Sequence, residues 1–242
     1  MSQLRIHWLT PDDPPESFPP IQEALIEPNG LLAAGGDLSP ARLLYAYRAG
    51  IFPWFEAGQP ILWWSPDPRC VLRPSAFHVS KSLKRTARNS GFELSFNQAC
   101  ADVIQACSRR RPGQSGTWIT PDMMQAYTGL HESGWVHSVE VWREQQLAGG
   151  IYGLASGCAF YGESMFSRHS GASKIAMLAL CRVLEDQSFT FLDCQMPTAH
   201  LRSLGAEALP REEFMTLLSE ANRSSDQAAF WPEGRVAAIE LL

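Results

Sequence analysis

Three strand-like segments, a helix and a fourth strand follow one another in the second half of the chain, and this order most constrains the fold. Residues 138–143, 147–155 and 158–164 are predicted to be successive antiparallel strands, because polar turns of two or three residues separate them. Residues 172–186 have the spacing of an amphipathic helix, and residues 189–195 are rich in Phe, Thr and Leu, which favour a buried strand. The sequence therefore predicts an α/β (α+β) fold in which helices flank a mixed sheet.

The same order of elements resembles the core of the acetyltransferase-type α/β fold, a likeness of pattern that does not fix function. Residues 1–68 differ from it, since they are rich in prolines, glycines and aromatic residues. They include one predicted helix, capped by Ser39, started by Pro40 and ending near Gly50. We expect a small N-terminal domain at 1–68 and an acetyltransferase-like catalytic domain at 69–242. The other elements predicted in the second domain are strands at 70–72 and 92–96 and helices at 78–89, 97–108 (with Asn97 as its N-cap), 121–133 and 211–221.

The composition is typical of a globular protein, because 45% of the 242 residues are hydrophobic and 19% are charged. No apolar stretch is long enough to span a bilayer, and the N-terminus does not have the pattern of a secretory signal. The six cysteines are scattered without a CxxC pair, which favours reduced thiols in a cytoplasmic protein and argues against a zinc site. The six histidines do not cluster, so no metal is predicted.

A basic segment stands out from a chain whose net charge is −5. Residues 81–111 contain seven Lys or Arg and two acidic residues. On the predicted helix at 78–89, the spacing places four basic residues on one face: Lys81, Lys84, Arg85 and Arg88. Such a face is either simply solvated or a site for a polyanion. The repulsion between the stacked charges, together with the basic run at 109–111, favours nucleic acid.

A carboxylate and a carboxamide lie at the end of the predicted strand at 189–195. Strand alternation predicts that Asp193 and Gln195 project from one face and that Cys194 projects from the other, where we interpret it as a core residue. A buried carboxylate is costly unless it has a partner or a task. The alternative is that Asp193 only caps a turn.

Two further groups of residues have both a structural and a functional interpretation. Glu163 lies at the end of the third predicted strand and either forms a salt bridge to Arg168 or belongs to a site. The aromatic residues around Trp54 and Trp118 either pack in the core or provide a surface on which bases stack.

Seven motifs resemble the leucyl/phenylalanyl-tRNA–protein transferase family and occur in the family's order. They are EPNGLL (27–32), GGDLS (35–39), GIFPWF (50–55), LWWSPDPR (62–69), GTWIT (116–120), GESMFSR (162–168) and DCQ (193–195). The resemblance extends over about residues 27–206, and several of the motifs are long and unusual in composition.

The resemblance implies an enzyme that transfers Leu or Phe, and also Met, from aminoacyl-tRNA to the N-terminal α-amine of proteins that begin with Arg or Lys. The product is a peptide bond and an N-degron for protein degradation. No cofactor is implied, because an aminoacyl ester is already activated for aminolysis. The implied partners are Leu-tRNA and Phe-tRNA as donors and Arg- or Lys-starting proteins as acceptors. We expect a monomer in the cytoplasm, with no membrane partner.

The same resemblance implies roles for particular residues. It gives Asp193 and Gln195 a proton relay. Since a carboxamide is a very poor base, we assign Asp193 the electrostatic or basic role and Gln195 the orientation of amine or ester, with the tRNA ribose hydroxyl sharing the proton transfer. The implied pocket for the donor amino acid and the adenosine consists of Trp54, Trp118, Ile151, Phe160, Gly162, Glu163, Met177, Leu180 and Leu192. Glu163 is also expected to hold the cationic acceptor. The tRNA-binding residues are those of the basic helix: Lys81, Lys84, Arg85 and Arg88.

Two other classes of function stay open on the residues alone. A CoA-dependent N-acyltransferase would bind phosphate near Arg168 and Gly171, which form only part of a pyrophosphate loop, and would turn over acetyl-CoA. A catalytically silent RNA-binding protein would bind charged and uncharged tRNA through residues 81–111 without forming product.

Overall fold

Two sheets form the framework of the protein. The structure is a computed structural model and describes residues 6–109, 117–223 and 230–242. The first sheet consists of β1 (His7–Leu9), β2 (Leu31–Gly35), β3 (Phe52–Pro53) and β4 (Leu62–Trp64), in the spatial order β1-β2-β4-β3. The second consists of β5 (Arg69–Leu72), β6 (Glu93–Phe96), β7 (Val136–Arg143), β8 (Gln146–Ser156), β9 (Ala159–Ser167), β10 (Phe191–Gln195), β11 (Glu207–Leu209) and β12 (Val236–Ala237). Its spatial order is β11-β5-β10-β9-β8-β7-β6-β12.

Helices accompany both sheets, which confirms the predicted mixed α/β fold. The described residues include α1 (Pro40–Arg48), α2 (Lys81–Asn89), α3 (Cys100–Ser108), α4 (Pro121–Glu132), α5 (Ala172–Asp186), α6 (Ala199–Ser203) and α7 (Arg211–Asn222). None of the helices within the described ranges has the length and hydrophobicity that a membrane span requires.

Hydroxyl caps set the start of several helices. Ser39 accepts a hydrogen bond from the backbone N–H of Arg42, and α1 ends before Gly50, whose φ is +77°, as predicted. The helix expected at 78–89 begins three residues later, because Ser80 accepts from the backbone N–H of Leu83 and thereby caps α2.

The N-cap predicted for Asn97 is wrong. Asn97 has a φ of +58°, and its side-chain oxygen accepts from the backbone N–H of Ser138 at 3.0 Å, so it joins the loop before α3 to strand β7. The helix begins at Cys100, and the fully buried Glu140 of β7 accepts hydrogen bonds from the backbone N–H groups of Gln98 and Ala99. A carboxylate from a neighbouring strand therefore stabilises this helix N-terminus.

The predicted meander is confirmed. Strands β7, β8 and β9 are successive antiparallel neighbours, and each extends one to three residues beyond at least one predicted end. Helix α5 then returns the chain, with the predicted bounds, so that β10 lies parallel to β9 and antiparallel to β5. This crossover brings the end of β10 beside the middle of β9.

One hydrophobic cluster crosses the predicted domain boundary near residue 68. It joins Leu43 and Tyr47 of α1 to Tyr127 of α4, Tyr152 of β8 and Phe191 of β10. The boundary falls between β4 and β5, which belong to different sheets. The division into residues 1–68 and 69–242 stays a prediction.

Candidate active site

Two neighbouring strands separate at the centre of the second sheet. Strands β9 and β10 pair only from Ala159 opposite Phe191 to Tyr161 opposite Asp193. Immediately beyond, Glu163 is an extra residue in β9, because Gly162 faces Gly153 while Ser164 faces Tyr152 of β8. On β10 the register with β5 shifts between Asp193 and Gln195, and Gln195 has a φ of +62°. These two irregularities open a gap in the sheet.

A cavity of about 800 Å³ lies at this gap. Eight residues predicted for the site line it: Trp54, Trp118, Ile151, Gly162, Glu163, Met177, Leu192 and Gln195. They come from the segment after β3, from the second sheet, from α5 and from the segment before α4. The apolar floor and the aromatic rim suit an amino-acid side chain joined to a base.

Three residues predicted for the site do not line this cavity. Phe160 is 1% exposed and Leu180 is fully buried, and both pack in the core cluster around α5. Asp193 is also fully buried. The structure therefore places Phe160 and Leu180 behind the pocket wall rather than on it.

Asp193 is committed to an ion pair with Arg69, the first residue of β5. Arg69 Nε lies 2.9 Å from Asp193 Oδ1, and Nη2 lies 2.7 Å from Oδ2. The backbone N–H of Gln195 also donates to Oδ1, at 2.9 Å. Both interpretations of Asp193 thus hold in part, because the carboxylate has a buried partner and also closes the turn into Gln195.

Sequence reasoning missed the role of Arg69. Its guanidinium donates to Gly50 O at 3.0 Å and lies 4.7 Å and 4.6 Å from the ring centres of Phe52 and Phe214. The only signal was the arginine that ends the LWWSPDPR motif, together with the rule that a buried carboxylate needs a cation.

Glu163 is 8% exposed and lies at the edge of the cavity. Tyr47 Oη donates to its Oε1 at 2.6 Å, and Gln195 Nε2 donates to the same atom at 3.2 Å. The Tyr127 hydroxyl in turn hydrogen-bonds to that of Tyr47. Burial raises the pKa of Glu163 to about 7, against the hydrogen bonds from these groups, which lower it.

The alternative salt bridge between Glu163 and Arg168 does not form. Arg168 instead donates to Leu147 O at 3.2 Å and lies 5.5 Å from the ring centre of Phe166. The partners of Glu163 are therefore neutral donors.

Strict alternation along β10 is wrong at its end. Cys194 lines the cavity beside Gln195 and its thiol hydrogen-bonds to that of Cys70, although part of it packs on the core as expected. The left-handed backbone at Gln195 turns the carboxamide toward Glu163, whereas Asp193 stays buried. Asp193 and Gln195 thus do not act from the same face.

The tryptophans divide between the two predicted interpretations. Trp63 is fully buried and donates to Gly35 O, so it is a core residue. Trp54 is 45% exposed at the cavity, with the ring of Trp64 packed edge-on at 5.6 Å. Trp118 also lines the cavity and provides a second ring.

The basic face lies on α2. Leu83 and Ala87 are buried against the core, and the opposite side exposes Lys81, Lys84, Arg85 and Arg88. Thr86 packs against Gly171, directly before α5, the helix that carries Met177 into the cavity. Of the basic run at 109–111, Arg109 lines the cavity, and residues 110–111 lie outside the described residues.

Comparisons with known proteins agree on one family. A family model described as "Leucyl/phenylalanyl-tRNA protein transferase" matches residues 71–219, and a model of its N-terminal domain matches residues 36–67. Among curated proteins, the leucyl/phenylalanyl-tRNA–protein transferase of Pseudomonas aeruginosa (strain LESB58) is 57% identical over 211 residues, which are 87% of this chain and 92% of the relative. The protein of the same name from Aromatoleum aromaticum is 52% identical over 236 residues, or 97% and 98% of the two chains.

Solved structures give a slighter likeness. A GCN5-related N-acetyltransferase from Kribbella flavida covers 71% of this chain and 61% of its own, at 10% identity and a TM-score of 0.34. This likeness is too slight to support an argument about the site.

Proposed function

The chain belongs to the leucyl/phenylalanyl-tRNA protein transferase family and is an aminoacyl-tRNA transferase, and on that premise we propose which substrates it joins and how. It transfers Leu or Phe, and also Met, to the N-terminal α-amine of proteins that begin with Arg or Lys. The product is an N-degron, made by a monomeric enzyme in the cytoplasm. The observation that supports this proposal is the cavity itself, which places an apolar floor, the exposed ring of Trp54, the partly buried ring of Trp118 and the Gln195 carboxamide around one space.

The reaction requires little covalent chemistry from the protein itself. An aminoacyl ester is activated, so the enzyme must align amine and ester, move a proton and stabilise the oxyanion. The donor side chain lies on Ile151, Met177 and Leu192, with Gly162 leaving room beside them. The terminal adenosine stacks on Trp54 and Trp118. Phe160 and Leu180 support this wall from the core.

Asp193 acts through Gln195 in this proposal. Its carboxylate holds the backbone N–H of Gln195 and, with Arg69, fixes the turn that points the carboxamide into the cavity. The electrostatic part of the role predicted for Asp193 is therefore kept, as a positioning role. Glu163 lies beside Gln195 and contacts the N-terminal residue of the acceptor.

The direct test mixes purified protein with radiolabelled Leu-tRNA and a peptide that begins with Arg. Label on the peptide supports the proposal, and an Ala-starting peptide serves as the acceptor control. Binding of tRNA with no label on the peptide would instead favour the silent RNA-binding protein. Turnover of acetyl-CoA would favour the CoA-dependent acyltransferase.

Enlarging the donor pocket is expected to change donor preference. Ile151→Ala removes side-chain volume from the cavity wall and should shift the ratio of Phe to Leu transfer toward Phe by several-fold, since a misfit of one methylene is worth roughly 1–3 kcal/mol. A competition assay with both charged tRNAs measures the ratio. Leu180→Ala is the matched core variant and should lower stability while leaving the ratio unchanged. Equal ratios of Phe to Leu transfer in both variants and the wild type would show that Ile151 does not contact the donor side chain.

Neutralising the basic face is expected to weaken tRNA binding. Lys84→Ala with Arg85→Ala should reduce the slope of log affinity against log salt by about one unit for each phosphate that the variant no longer neutralises. The effect should be the same for Leu- and Phe-charged tRNA, because phosphate contacts carry no amino-acid information. Arg143→Ala with Arg182→Ala removes two other exposed arginines and is the control. If both double variants keep the wild-type slope, the α2 face is merely solvated.

A further inference from the structure

A buried carboxyl group with a hydrogen-bond network of its own lies where the acceptor amine must enter. The Glu163 carboxyl accepts hydrogen bonds from Tyr47 of α1 and Gln195 of β10. The Tyr47 hydroxyl is in turn hydrogen-bonded to that of Tyr127 of α4. Tyr47 and Tyr127 are both fully buried, so their contact with each other and with Glu163 is shielded from water. Such a network fixes the orientation of one carboxyl oxygen at the cavity wall.

Aminolysis of the ester needs a group that can first take and then return a proton. The amine nitrogen attacks the carbonyl carbon, a C–N bond forms, and the nitrogen must lose a proton. The bond from the carbonyl carbon to the ribose oxygen then breaks, and that oxygen must gain a proton. One carboxyl group can serve both steps with no net change in its own protonation.

The other groups at the site suit this task less well. Asp193 accepts three hydrogen bonds in a buried ion pair and does not line the cavity. The Gln195 carboxamide is too weak a base. His200 also lines the cavity, and burial together with Lys174 lowers the pKa of its ring, but it is exposed on the short helix α6.

We propose that Glu163 takes the proton of the acceptor amine and returns it to the ribose oxygen, with Tyr47 and Tyr127 as positioning residues for its carboxyl group. This inference rests on the proposed transfer reaction and specifies its chemistry. The titratable groups that face Glu163 are Tyr47 from α1, Tyr127 from α4, Tyr152 from β8 and Asp193 from β10. Across the cavity lie Glu56, Cys107, Arg109, Cys194 and His200.

The electrostatics of the site support this assignment. Burial and the nearby Asp193 charge raise the pKa of Glu163, hydrogen bonds from Tyr47, Tyr127 and Gln195 lower it, and the net result is a pKa of about 7. A pKa near the working pH is the condition under which one group is both an adequate base and an adequate acid. Removal of a tyrosine hydroxyl should therefore raise this pKa.

The test is the pH dependence of single-turnover transfer from preloaded Leu-tRNA to an Arg-starting peptide. Glu163→Gln should slow transfer by about 10²-fold or more and abolish the limb of the profile that belongs to the carboxyl group. Tyr47→Phe and Tyr127→Phe should move this limb to higher pH. If the midpoint of the limb rises by about one pH unit, transfer should become roughly tenfold slower on the acid side, with little loss at high pH.

Tyr152→Phe is the matched control. Tyr152 is a buried tyrosine packed edge-on against Tyr127, and its hydroxyl has no hydrogen-bond partner among the described residues. Its profile should superimpose on that of the wild type. His200→Asn should also keep the limb of the pH profile. If the limb disappears in this variant, His200 is the base instead of Glu163.

A second measurement separates proton transfer from recognition of the cationic acceptor. If Glu163 is the base, Glu163→Gln lowers kcat for Arg- and citrulline-starting peptides alike and leaves their ratio unchanged. A raised KM for the Arg peptide with kcat preserved would overturn the proposal. It would show instead that Glu163 recognises the cationic side chain of the acceptor. An unchanged pH profile in Glu163→Gln would also overturn the assignment of Glu163 as the base. Transfer by the wild type in the same experiment would still support the proposed function. Absence of label with the wild type would instead refute the proposed function.

Discussion

Asp193→Asn is expected to slow transfer by about 10²-fold or more, although the carboxylate does not contact the cavity. The substitution removes the charge that balances Arg69, which is itself fully buried between Phe52 and Phe214. An uncompensated buried charge costs about 3–5 kcal/mol, so denaturant unfolding should show a comparable loss of stability. Affinity for tRNA should change little, because the exposed cations on α2 are intact.

A double variant distinguishes the loss of stability from the loss of positioning. Arg69→Met with Asp193→Leu replaces the ion pair by apolar side chains and should recover much of the stability that either single substitution loses. Transfer should stay low, because the backbone N–H of Gln195 has lost its acceptor. A stable double variant with wild-type transfer would show that Gln195 needs no support from Asp193.

Local signals accounted for much of the fold. Helix α1 follows from the Ser39-Pro40 start, and α5 has its predicted bounds because a long amphipathic pattern lies between Gly171 and a polar end. The meander of β7, β8 and β9 follows from short turns, which leave antiparallel pairing as the simple solution.

Features that depend on partners distant in sequence were not predictable. Strands β1 and β2 were missed because they are short, and β2 contains two alanines and a glycine, which give little strand signal before pairing. Asn97 has the sequence signature of a cap, but Glu140 of β7 binds the start of α3 instead. Only tertiary structure decides between these two acceptors.

The candidate site shows the same division. The family resemblance predicted eight of the cavity-lining residues, and five of them, such as Trp54 and Gln195, lie in the recognisable motifs. The partners that orient them were not predicted. Tyr47 lies 116 positions before Glu163, and Arg69 lies 124 positions before Asp193. No local pattern specifies such contacts, since they depend on the packing of α1 against the second sheet and on the pairing of β5 with β10.

Protonation of Glu163 should also be measurable in the stability of the protein. Because the pKa of this carboxyl is raised from 4.5 to about 7, the folded protein keeps a proton that the unfolded chain releases between these pH values. The carboxyl therefore lowers the free energy of unfolding as pH rises through that window, by about 3 kcal/mol in all at about 1.4 kcal/mol per pH unit. Glu163→Gln cannot titrate and should gain this amount relative to the wild type between pH 4.5 and pH 7, as measured by urea unfolding.

The difference between the two proteins is the quantity to follow, because another buried group acts in the opposite sense. Burial lowers the pKa of His137 to about 4, so its contribution to stability is lost as pH falls from 6.5 toward 4. His137 is present in both proteins, and its effect cancels in the difference. A difference that does not change with pH would mean that folding does not raise the pKa of Glu163. The carboxylate would then be a poor base for the amine proton near neutral pH, and the assignment of Glu163 as the group that takes and returns the proton would fail even if its removal slowed transfer.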